Sequence, residues 1–306
     1  MTDAPTSRRS GIVFAFAAYA VWGFLPVYFL LLQPASAFEI VAWRIVFSLV
    51  FCAILITVTR SWPALVAIVR QPRLLLTLAL AAVLIYVNWQ VYVYGALSGR
   101  VIETSLGYFI NPIVTVLLGV VLLHERLRLL QWVAVGISAI AVLVIAIGYG
   151  GFPWIAITLA FSFGLYGLVK KRVGPKVDAL SGLAIETAWL VPVAVVQLVV
   201  VGASVGITFG TAGAQHSVLL VAVGVITAIP LLLFAAASRR LPLVTMGLVQ
   251  YLTPLLQFLI GVLFLHEAMP TVRWVGFAFV WIALLVLSID LLLRGRAGRR
   301  ASPLPA

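Results

Sequence analysis

Ten apolar runs, each close to twenty residues long, leave this chain few ways to fold. They cover roughly residues 11–32, 37–58, 73–96, 101–122, 129–148, 152–171, 182–201, 215–236, 241–264 and 271–293. A helix needs about 20 apolar residues to cross a ~30 Å hydrocarbon core. A segment in that core must also satisfy its backbone within itself. The pattern therefore predicts an all-α integral membrane protein with ten transmembrane helices in the lipid bilayer. Composition agrees: only 9% of the 306 residues are charged, against about 25% in a soluble domain.

The net charge of +12 would suit a nucleic-acid binder only if the basic residues shared a polar face. Here they fall in short gaps between apolar runs, so no nucleic-acid partner is expected. With the N-terminus inside, 17 of the 20 Lys and Arg residues lie in inner gaps and tails, Arg100 and Arg273 lie outside, and Arg44 lies within a helix. The positive-inside bias then predicts both termini in the cytoplasm, with the chain in a bacterial-type inner membrane. The first run resembles a signal peptide, with Arg8 and Arg9 before it and Ala35-Ser36-Ala37 behind it. It is longer than the 7–15-residue core of such a signal, and a retained helix is expected. Cys52 sits in an apolar run and reads as a small buried hydrophobe. One Cys and three His make no metal-ligand cluster, so neither metal nor cofactor is expected.

The chain also repeats itself. Pro112, Gly119, Leu123, His124, Glu125 and Trp132 recur as Pro254, Gly261, Leu265, His266, Glu267 and Trp274, each 142 positions later. Weaker echoes link Trp22-Gly23 with Phe163-Gly164, and Glu39 near Trp43 with Glu186 near Trp189. The unit holds five helices, an odd number, so the second copy must enter the membrane upside down. The expected layout is a tail at 1–10, a first repeat at 11–148, an inverted second repeat at 149–293 and a basic tail at 294–306. Inverted repeats are a transporter architecture, with a substrate path near the midplane and alternating access by rocking.

Polar residues in a bilayer are costly and mark such a path. One predicted helix carries Tyr108, Asn111, Pro112, Thr115 and Gly119. Its counterpart carries Gln250, Thr253, Pro254, Gln257 and Gly261 at the same spacings. At 3.6 residues per turn each set lines one helix face. They line a cavity, or they act as packing and hydrogen-bonding contacts between helices. The third helix adds Tyr86, Asn88, Trp89, Gln90, Tyr92 and Tyr94, and the first adds Tyr19, Trp22 and Pro26. Aromatic rings with amides suit an amphipathic organic small molecule. Glu39, Arg44, Glu103, Glu186 and Asp290 are the charges in or near the apolar runs. Each is a structural ion pair or cap, or else Glu39 or Glu186 takes a proton during transport. Arg44 either snorkels outward or meets an acid on another helix, with Glu103 at the outer end of the fourth helix the candidate partner. His124-Glu125 and His266-Glu267 read as helix-end contacts.

Three stretches, Ser105-Leu106-Gly107-Tyr108-Phe109-Ile110-Asn111-Pro112, Ile185-Glu186-Thr187-x-Trp189 and Gln250-Tyr251-x-x-Pro254, resemble the RarD-type branch of the EamA-like drug/metabolite transporter superfamily. Glu39-Ile40 and Arg44 belong to the same resemblance, which spans residues 11–293. It implies a ten-helix permease of the cytoplasmic membrane, exporter-like, of a kind named for chloramphenicol sensitivity. The resulting substrate-path candidates are Trp22, Asn88, Trp89, Tyr92, Tyr108, Asn111, Pro112, Gln250, Tyr251, Pro254 and Gln257. Protons and a second copy of the chain are candidate partners. No GxxxxGK[ST] motif and no loop long enough for an ATPase domain is present, so no nucleotide is expected. An intramembrane enzyme would need HExxH, GxSxG or a clustered acid–base pair, and none is found. A non-transporting sensor or structural subunit remains the alternative.

Overall fold

Every regular element is helical in the computed structural model, which describes residues 4–123, 129–149, 151–174, 176–238, 240–241 and 249–300. The elements are α1 (Ala4–Leu30), α2 (Ala37–Val58), α3 (Trp62–Val69), α4 (Pro72–Leu97), α5 (Val101–Leu123) and α6 (Leu129–Tyr149). After them come α7 (Trp154–Val173), α8 (Ala179–Ser204), α9 (Ala214–Ser238), α10 (Leu252–Leu259) running into a π turn (Ile260–Phe264), and α11 (Thr271–Arg300). Eight of these helices are long and apolar enough to cross a membrane, and the shorter apolar stretches Trp154–Lys170 and Leu252–Phe264 lie in α7 and α10. The protein is therefore a multi-pass membrane protein.

Local chemistry sets the helix starts. Ser36 accepts a hydrogen bond from the Glu39 amide at 3.2 Å, and Asp178 accepts one from the Ser181 amide at 2.9 Å. Each satisfies one of the orphan donors of a first turn. Proline stands in the first turn of α3 and α4, where its missing N–H costs nothing.

Several boundaries differ from the sequence reading. Residues 59–72 were expected as a gap, yet Trp62–Val69 forms the short helix α3. It is too short to appear in a search for spanning runs. Of the expected span 241–264, residues 242–248 lie outside the described residues, and α10 gives way to the π turn at Ile260. At the chain ends, α1 starts at Ala4 and α11 continues to Arg300, because a helix can outlast its apolar run.

The outward faces are apolar: Val13, Leu80, Val199 and Leu285 are all more than half exposed. Such surfaces suit lipid tails. Inside, α2 packs on α8, α5 on α10 and α6 on α11. Around these, α1 packs on α9 and α10, while α7 packs on α4 and α5. One glycine is required by a close approach. A Cβ at Gly224 of α9 would press into the Phe47 carbonyl of α2, so glycine lets these two backbones meet.

Candidate substrate path

The polar residues of α4 come together with those of α5 and α7. Asn88 is 2% exposed and donates to the Leu159 carbonyl at 3.3 Å and to Ser162 Oγ at 3.2 Å, both on α7. Its carbonyl oxygen accepts from Tyr108 of α5 at 3.0 Å. One amide thus ties three helices. Trp89 and Tyr92 are buried on the same helix.

Aromatic rings continue the cluster in both directions. Phe29 meets Tyr92 (centroids 6.0 Å apart), Tyr92 meets Tyr108 (5.6 Å), Tyr108 meets Phe163 (5.8 Å), and Phe163 meets Tyr166 (6.0 Å). Most of these are edge-to-face contacts, the arrangement favoured by ring quadrupoles. At one end of the row the Arg44 guanidinium lies 4.1 Å from the Trp89 ring centroid and 5.8 Å from that of Phe29. At the other, Tyr166 donates to Glu186 at 3.0 Å, and Lys170 pairs with the same carboxylate at 2.7 Å.

The acids take up other tasks. The expected Arg44–Glu103 pair does not form. Glu103 pairs with Arg100 at 2.5 Å and accepts from the Ile155 amide at 3.1 Å, at the start of α7. Arg100 lies one helical turn from Glu103, and the α7 N-terminus offers unpaired N–H groups, so both partners were closer at hand. Glu39 uses Oε1 for Trp43, the Thr208 amide and hydroxyl, and the Phe209 amide, which anchors the loop before α9. Glu267 accepts from the Val101 and Ile102 amides at 2.6 and 3.0 Å, so it caps α5 from far along the chain. Burial raises its carboxyl pKa, against the pull of those two N–H groups. This is the helix-end role expected of the His266-Glu267 pair. His124 and Glu125 lie outside the described residues.

The mirrored stripes make hydrogen bonds between helices. Asn111 donates to the Ala160 carbonyl of α7 at 2.9 Å. Thr253 and Gln257 donate to the Tyr19 and Trp22 carbonyls of α1 at 2.8 and 3.2 Å. These are contacts between helices, the packing role, although Gln257 Oε1 is buried without a partner. Pro112 is half-buried, and the Pro254 carbonyl accepts from Ser105 of α5 at 2.8 Å. Trp22 packs with Tyr19 and Phe234. Tyr251 packs among residues of the α6 and α11 side and hydrogen-bonds Ser288. Gln250 is half-buried near the start of α10. Of the residues singled out from sequence, Arg44, Asn88, Trp89, Tyr92 and Tyr108 meet in one place. Phe29, Phe163, Tyr166 and Lys170 complete the row and were missed.

A groove of about 400 Å³ between α2, α3, α4 and α8 is lined by Leu49, Trp62, Leu65, Trp189 and other apolar residues. It lacks the convergent polar groups of an organic-ligand site. The interior row, with its buried amide and charges, is the stronger candidate.

Known proteins agree with a membrane transporter. The EamA-like transporter family matches residues 9–147. Protein RarD of Streptomyces exfoliatus is 47% identical over 296 residues, covering 97% of this chain and 93% of the relative. Protein RarD of Escherichia coli K12 is 41% identical over 282 residues, covering 92% of this chain and 95% of the relative. A crystal structure only 18% identical superposes with a TM-score of 0.60, covering 96% of this chain and 100% of the other, which shows a shared fold. A bundle of apolar helices around a buried polar row, with relatives of this kind, defines a multi-pass membrane transporter. The chain belongs to the EamA-like transporter family, in its RarD-type branch.

Proposed function

We propose that the protein is a secondary transporter that carries a small organic molecule across the cytoplasmic membrane by alternating access. In this reading the chain crosses the bilayer ten times, as two inverted five-helix repeats, with both tails in the cytoplasm. Export is the direction that the family resemblance suggests. The observation that carries the proposal is the Arg44–Trp89–Tyr92–Tyr108–Tyr166 row. Arg44, Trp89 and Tyr92 are buried and Tyr108 and Tyr166 half-buried. The row draws on helices of both proposed repeats and, with Asn88 beside it, joins a charge and an amide that a lipid-facing surface would avoid.

Repeat-related contacts support the inverted arrangement. Asn111 bonds the Ala160 carbonyl, and Thr253 bonds the Tyr19 carbonyl. The donors are 142 positions apart and the acceptors 141. Gly164 lies against Val114 and Leu118, and Gly23 against Leu256, on the same two helix pairs. Two such interfaces, flexing in turn, would open the centre to either side.

The test is flux in liposomes containing the purified protein, over a panel of drugs and metabolites. Wild type should accumulate or release at least one compound. Tyr108→Ala and Asn88→Ala should lower that flux by tenfold or more. Trp189→Ala, in the apolar groove, should leave it near wild type. Flux that depends on the groove and ignores the row would refute this assignment.

A further inference from the structure

Arg44 is the residue whose surroundings are least complete. It stands seven residues into α2, about 10 Å along the helix axis, and is only 4% exposed. Its Nε and Nη1 find no acceptor among the described residues. The ion pairs Arg100–Glu103 and Lys170–Glu186 both lie elsewhere. Glu39 is on the same helix, but five residues apart places the two side chains on different faces, and Glu39 is tied to the 208–209 loop. The Tyr92 hydroxyl, also buried and in the electrostatic neighbourhood of Arg44, likewise lacks a partner. Two kinds of donor without partners therefore lie in one neighbourhood, beside the Trp89 and Phe29 rings.

Ring faces alone do not resolve this arrangement. A cation over a tryptophan is attracted, yet a guanidinium offers five N–H donors that call for hydrogen-bond acceptors. An isolated charge withdrawn from water is unfavourable unless it is paired and hydrogen-bonded. The planar fork matches a carboxylate bidentately. Flat aromatic walls suit a flat apolar body.

We infer that Arg44 and the Tyr92 hydroxyl form the anion-binding end of the substrate site, so that the transported molecule is an organic carboxylate with a flat apolar body. This rests on the transporter reading and adds the substrate's charge class to it. Among the described residues no carboxylate is paired with Arg44 that could receive an ammonium group. The site thus discriminates against amines and offers a zwitterion no second contact at this point.

The test uses matched pairs that differ only in charge: benzoate with benzamide, and indole-3-acetate with indole-3-acetamide, plus tryptamine as a cation. Binding to the detergent-purified protein is measured by calorimetry and by thermal shift. At least one carboxylate should bind about tenfold or more tightly than its amide, the range for a charge-assisted hydrogen bond. Arg44→Gln should erase that preference, and Arg44→Lys should keep part of it. Tyr92→Phe, a milder change, should weaken the carboxylate and leave the amide unaffected, so the inference stays testable if Arg44→Gln does not fold. Equal affinity within every pair, including no binding by either member, overturns the inference. So does a carboxylate preference that survives both Arg44→Gln and Tyr92→Phe. Liposome flux separates the two claims. A neutral or cationic compound carried equally well by Arg44→Lys would overturn the anion assignment and leave transport standing.

Discussion

Two basic residues end the central row of rings, and the protein treats them differently. Lys170 sits beside Glu186 at 2.7 Å, and Tyr166 donates to the same carboxylate. Arg44 has rings at 4.1 and 5.8 Å and, among the described residues, no paired acid. Lys170 is 29% exposed at its side chain, so its ammonium also retains some access to polar surroundings, whereas Arg44 is almost wholly enclosed. A charge with its own counter-ion is part of the structure. A charge held between rings with free donors is suited to a partner that comes and goes. On the proposed reading, the difference marks the Arg44 end of the row as the one that meets the substrate.

Substituting the two cations should split them. Arg44→Met should reduce transport by tenfold or more and leave the thermal unfolding temperature in detergent unchanged or raised, because it removes an uncompensated buried charge. Lys170→Met should do the reverse to stability. It leaves Glu186 buried without its cation, a change that costs about 3 kcal/mol when a buried pair loses one partner. The double variant Lys170→Met/Glu186→Gln should recover most of that loss. Equal destabilisation by Arg44→Met and Lys170→Met would erase the distinction.

A smaller effect concerns the amide between the two ends. Asn88→Leu removes two donors to α7 and the acceptor for Tyr108. Measured interhelical hydrogen bonds in a membrane average about 0.6 kcal/mol, so a stability loss of about 1–2 kcal/mol is expected, with a larger proportional fall in flux. Transport that tracks stability alone would make Asn88 a packing residue.

The smallest effect lies outside the spans. Folding raises the pKa of Glu267 through burial, so the folded state holds its proton more tightly than the unfolded state. Its contribution to stability is complete below the unfolded carboxyl pKa and is lost as pH rises through the raised folded value. Glu267→Gln should flatten that part of the stability profile, read by thermal melts between about pH 4 and pH 8, a window spanning the ordinary carboxyl value of ~4.3.

Much of the fold was legible because lipid makes a simple demand. Runs such as 37–58 and 101–122 coincide with α2 and α5 to within a residue or two, since the solvent forces an apolar length. The demand is silent on short helices, so α3 escaped it, and on the backbone break where α10 becomes a π turn. The site was legible where a residue is costly in a bilayer: Arg44, Asn88 and Tyr108 stood out for that reason. Phe163 and Tyr166 did not, since aromatic residues at helical spacing are ordinary membrane core. Their role depends on which face of α7 meets α4 and α5, a property of packing. The Arg44–Glu103 expectation failed for the same reason. Sequence showed two opposite charges but not the α7 N-terminus and Arg100 that claim Glu103 first.

The central claim is that the row is a path rather than a packed core, and cysteine accessibility tests it most directly. In a Cys52→Ser background, which removes the lone native thiol, single cysteines would replace Tyr108, Phe163 and, as a control, Phe277, which is fully buried between α5, α10 and α11. A charged, membrane-impermeant thiol reagent would be applied to each side of oriented vesicles. The account predicts that positions 108 and 163 react from at least one side, that a bound carboxylate slows the reaction, and that position 277 stays inert. Positions 108 and 163 as inert as 277 from both sides would contradict it, and the row would then be core packing.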